Sequence, residues 1–168
     1  MATAQKKVAS RLKNYMSIIE VDESITIIRR SLAAHGAQRI IFDGNDGQGN
    51  PTEMSFVIVV NQQSLSFRMP VHFERVQGLV EQAWIDYGRP LRGDALVAQA
   101  QRTAWANIKD WTLAQMALIE SGAVKVEEVF FPYLVDPDGQ TVFEAFEQRL
   151  ALPAPKNGKA PQYTIRGE

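Results

Sequence analysis

Apolar positions along the chain switch between a two-residue and a three-to-four-residue period, and each switch marks an element boundary. Between Tyr15 and Glu20, Met16 and Ile18 share one side of an alternating run, which predicts a first strand. Asp22-Glu23-Ser24 then opens a helix, since acidic and hydroxyl side chains satisfy unpaired N–H groups at the positive end of the helix dipole. Ile25, Ile28 and Leu32 form its apolar stripe, and Gly36 closes it behind His35 as a left-handed cap.

Alternation returns at Arg39 to Asp43, followed by a loop, Gly44 to Asn50, rich in residues that tolerate positive φ. From Thr52 to Val60 the positions Met54, Phe56, Ile58 and Val60 fall on one side. After a turn at Asn61-Gln62-Gln63, the run Ser64 to Met69 puts Leu65, Phe67 and Met69 inward and Ser66 and Arg68 outward. Such a meander has one apolar face, which helices must cover.

The helical period begins at Phe73. Phe73, Val76, Val80, Ala83 and Tyr87 keep it until Gly88-Arg89-Pro90. Asp94 to Glu120 reads as a long helix with Val97, Ala104, Ile108, Trp111 and Leu118 on one face and Trp105 and Met116 nearby. Lys125 to Phe131 is a short amphipathic turn, and Asp136-Pro-Asp-Gly139 is a tight turn. Thr141 and Glu144 form a capping-box pair before a last helix bearing Val142, Phe146 and Leu150. The expected fold class is α+β: a four-stranded antiparallel sheet (β-α-β-β-β), the first strand joined to the meander, covered by helices, with a C-terminal helical region. Residues 1–152 form one domain in this reading, with 1–13 a frayed or docking arm and 153–168 a flexible tail rich in Pro, Lys and Gly.

Composition narrows function by exclusion. With 168 residues the chain buries a core without staples, and 0 Cys removes disulfides and thiolate zinc sites. No signal peptide or membrane-spanning run is visible, so a cytoplasmic location with no membrane partner is expected. The net charge of -1 argues against a non-specific nucleic-acid coat protein, although a local basic patch remains compatible with it.

Candidate chemistry is sparse. The loop Asp43 to Asn50 departs from a calcium loop, with Gln48 at the position that needs Gly and Met54 where a bidentate Glu belongs. No Gly-x-Ser-x-Gly occurs, and the two histidines, His35 and His72, have no metal-site spacing. No catalytic residue, cofactor or metal is expected, and the chain reads as a non-enzyme. Two groupings suit ligand binding instead. Arg68, His72 and Arg75 gather at the corner from strand to helix, where arginines favour anions. Arg102, Trp105 and Lys109 share one side of the long helix, and cations interleaved with aromatics can stack on bases.

Several stretches bear a likeness to known sequences: Leu32-Ala-Ala-His-Gly-Ala37, Phe67-Arg-Met-Pro70, Arg102 to Trp111 with Ala114 to Glu120, and Phe130-Phe-Pro-Tyr-Leu134 with Asp138-Gly139. In these the chain resembles small uncharacterised proteins of bacteriophages and integrated mobile elements. The resemblance implies a phage or mobile-element origin and assigns no residue a role. Two functions are therefore expected. One is a binding protein for nucleic acid or a nucleotide, serving replication or counter-defence against a host protein. The alternative is an oligomeric interaction or assembly module, and a homo-oligomer is expected in either case.

Overall fold

Residues 12–151 are described by the computed structural model. Three strands, β1 (Gln38–Asp43), β2 (Glu53–Val60) and β3 (Gln63–Pro70), form an antiparallel sheet in the order β1-β2-β3. The β2–β3 register sets Met54 against Met69, Phe56 against Phe67 and Ile58 against Leu65, so the apolar halves of both strands share one face. Phe56 and Phe67 stack 5.2 Å apart, and Phe130 meets Phe56 edge-on at 5.1 Å. In β1 the register slips between Gln38 and Ile41, with Arg39 at φ 48. A bulge on an edge strand disrupts the ladder that another chain would otherwise extend.

The helices are α1 (Val21–Ala34), α2 (Phe73–Asp86), α3 (Gly93–Glu120), α4 (Val126–Phe130) and α5 (Val142–Ala151), with a 3-10 turn at Phe131–Tyr133. Helix α3 packs against both α1 and α2. Glu20 pairs with Arg102 at 3.6 Å and His35 with Glu120 at 3.8 Å, so α1 and α3 run parallel. The α1 cap is as the sequence predicts: Gly36 has φ 84, and the Ala37 N–H reaches back to the Leu32 carbonyl at 2.9 Å.

The sheet has three strands, not four. Residues 12–20 form a turn and coil, and Met16 and Ile18, assigned by alternation to a buried side, are exposed. Two carbonyls that a ladder would use, those of Tyr15 and Ser17, are taken by side chains of α2 and α3. Beside β3, Leu134 makes a single antiparallel bridge to Phe67, and the Val135 N–H donates to the Ser66 carbonyl at 2.8 Å. The loop before β2 is tied by Asp46, which accepts from the Gln48 and Asn50 N–H groups at 2.8 and 3.0 Å. Among the described residues no helix is long and apolar enough to cross a membrane. The tail at 153–168 and most of the arm at 1–13 lie outside the described residues.

Candidate binding groove beside the last helix

Strand β3 ends at Pro70, which has no N–H to continue a ladder, and the chain turns at Val71-His72 into α2. His72 takes the N-cap position without a capping side-chain bond, and its ring is exposed. Arg75 lies on the first turn, also exposed. Facing this corner stand the 3-10 turn and the start of α5. Together Pro70, His72, Arg75, Tyr133, Phe143 and Glu147 line most of a groove of about 550 Å³, a size that suits a ligand or a few side chains of a partner.

The far wall is held by a small polar lock. The Thr141 N–H donates to Glu144 Oε2 at 2.7 Å, and the Glu144 N–H donates to Thr141 Oγ1 at 3.2 Å, completing a capping box at α5. Arg68 Nη2 donates to the same Glu144 oxygen at 2.6 Å, while its Nε lies 3.8 Å from Glu53. These contacts, the Thr141 N–H foremost, hold the Glu144 carboxyl below the usual carboxylate range. Arg68 thus fastens the last helix to the sheet.

Helix α5 contributes little to the core. Phe143, Phe146 and Leu150, at three- and four-residue spacing, are 49%, 54% and 69% exposed, and Phe131 on the neighbouring turn is 54% exposed. Phe143, Phe146 and Leu150 thus lie along one exposed side of a helix fastened to the sheet.

The sequence-predicted residues divide into two groups. Arg68, His72 and Arg75 do meet at one corner, with His72 and Arg75 in the groove and Arg68 behind Glu144. The α3 residues do not line it. Trp105 is fully buried (0% exposed), tilted against Phe42 with ring centres 5.7 Å apart, and its Nε1–H donates to the Pro51 carbonyl at 3.2 Å. No ring face remains for a base. Lys109 lies 3.3 Å from Asp110 with its side chain only 13% exposed, and Arg102 is engaged by Gln99 and Glu20. Trp105 faces β1 and Arg102 reaches Glu20 at the start of α1, so this part of α3 packs against neighbouring elements.

Tyr133, Phe143 and Glu147 were not anticipated as groove residues. Their signal was available in part: Phe143 beside Phe146 gives the last helix more apolar surface than one core-facing stripe requires. Among the described residues, no group of three or more His, Asp or Glu side chains is placed to hold a metal ion. Comparison with protein-family models, with curated proteins and with solved structures gave no match.

Proposed function

We propose that this chain is a non-enzymatic interaction module that engages a partner polypeptide through the apolar side of α5 and the adjoining groove. The observation that carries this is the exposure of Phe143, Phe146 and Leu150 on a helix fixed by the Thr141–Glu144–Arg68 lock. A helix with a wet apolar stripe gains free energy when a complementary apolar surface excludes water from it, at about 25 cal/mol per Å². On the phage or mobile-element origin proposed from the sequence alone, the partner is a host component, in counter-defence or in assembly.

The nucleic-acid reading has lost most of its support. Of its six residues, Trp105 offers no surface, and Arg68, Arg102 and Lys109 are beside carboxylates. It now rests on His72 and Arg75, which line the groove without an ion-pair partner among the described residues. An affinity-tagged chain, expressed in its natural host, separates the readings. Phe146→Ser with Leu150→Ser is expected to release a bound polypeptide that Arg75→Ala retains. If the bound species is nucleic acid, and Arg75→Ala alone removes it, the interaction reading is wrong.

A further inference from the structure

Residues 13–17 are held in an unusual way. Four of their backbone carbonyls accept from side chains distant in sequence: Lys13 from Asn107 Nδ2 (3.3 Å), Asn14 from Thr103 Oγ1 (3.2 Å), Tyr15 from Trp84 Nε1 (3.1 Å) and Gln99 Nε2 (3.0 Å), and Ser17 from Gln99 Nε2 (3.0 Å). Two side chains add sequence preference. Lys13 Nζ lies 2.9 Å from Asp110, and Asn14 Nδ2 donates to Asn107 and Asp110 at 2.9 and 3.1 Å. Apolar contact adds less here: Met16 is exposed, and Ile18 just after the segment is 89% exposed.

The cleft between α2 and α3 is therefore a row of donors that reads main chain. Gln99 is buried and its Nε2 donates to the Tyr15 and Ser17 carbonyls, while Thr103 Oγ1 also has the Gln99 carbonyl of its own helix at 2.8 Å. A buried donor without an acceptor is destabilising, so Gln99 favours an occupied cleft. Only three residues, Ile18 to Glu20, join the strap to α1, a span of at most about 11 Å when extended. A short hinge beside a separately docked segment is an arrangement from which exchange between copies arises.

We propose that this cleft also accepts residues 13–17 of a second copy, so that the strap closes in cis in the monomer and is exchanged in a dimer. The same segment is the fitting occupant because it supplies Lys13 for Asp110 and Asn14 for Asn107. The surface involved is separate from α5, so each idea stands or falls alone.

The test uses the full chain carrying Asn14→Pro. Proline fixes φ near −65°, whereas Asn14 sits at φ 63, so the variant's own strap cannot seat. A fluorescein-labelled peptide of residues 12–20 is titrated and followed by anisotropy. Saturable binding is expected, at least about tenfold tighter than to the wild-type chain, whose own strap competes at an effective concentration near millimolar. Adding Gln99→Leu and Thr103→Val is expected to abolish it. A variant with native far-UV circular dichroism that binds no peptide at millimolar concentration overturns the proposal. Should Asn14→Pro lose its helical signal, light scattering of the wild-type chain decides. A concentration-dependent dimer that excess peptide dissolves supports exchange, and a monomer throughout contradicts it.

Discussion

At the scale of single residues, the largest energies lie where a side chain is both buried and hydrogen-bonded. Trp105 fills the space between α3 and β1 and gives its only N–H to the Pro51 carbonyl. Trp105→Ala is expected to destabilise the fold by about 3–5 kcal/mol, read as a shift in the urea midpoint. Trp105→Phe keeps most of the ring and is expected to be much milder; equal losses in the two variants would show that packing is not the main term. Asp110 has a different, pH-dependent role. The Lys13 ammonium above all, aided by Asn14 and Lys109, outweighs the opposing effect of burial and holds its carboxyl down from 3.8 to about 2. A carboxylate whose folded pKa is depressed contributes stability above its unfolded pKa and loses it as pH falls through the folded one. Docking of residues 13–17 is therefore expected to weaken between about pH 4 and pH 2, and the protection factor of the Ser17 amide, which donates to Asn14, should fall there. In Asp110→Asn that fall is expected to vanish because protection is low throughout. An unchanged profile would contradict the assignment. These residue roles were only partly legible beforehand, because Trp105 and Lys109 share a helical side whether that side faces solvent or core.

Among the elements, β2 and β3 followed from alternation almost residue for residue, since a strand with one covered face has few other ways to arrange Met54, Phe56, Ile58, Phe67 and Met69. The capping box at Thr141 and Glu144 was equally readable, being local chemistry over four residues. The first strand was not. Met16 and Ile18 alternate as strand residues do, yet tertiary donors on Trp84, Gln99 and Thr103 capture the carbonyls of this segment. Alternation records only side chains, and those donors lie about seventy to ninety residues away in sequence. Helix α5 was found with Val142, Phe146 and Leu150 as its apolar residues, and Phe146 and Leu150 are exposed together with Phe143. Because they are exposed, Phe146→Ser and Leu150→Ser are each expected to change stability by less than about 0.5 kcal/mol. Thermal unfolding of the two variants checks this, and a large loss would place α5 in the core rather than at an interface. By contrast Arg68→Ala leaves Glu144 without its 2.6 Å partner and is expected to accelerate exchange across α5 while sparing the sheet.

For the whole molecule, fold class and helix order were accessible from pattern because both depend on burying apolar faces. The candidate groove was half accessible: the sequence grouped Arg68, His72 and Arg75 at one corner, and the turn at Phe131–Tyr133 and helix α5 supply the opposite wall only in the folded chain. The proposal of a polypeptide partner rests on the exposed Phe143, Phe146 and Leu150, set against Arg75 as a groove cation without an ion-pair partner among the described residues. Native mass spectrometry of the protein freshly purified from its natural host, with the 260/280 absorbance ratio recorded, tests this most directly. A protein ratio is expected, with the added mass of a partner polypeptide that Phe146→Ser with Leu150→Ser removes; a second-copy mass that survives those substitutions belongs to exchange of residues 13–17. A raised ratio with a defined nucleotide or nucleic-acid mass, untouched by those substitutions and lost on Arg75→Ala, would contradict it.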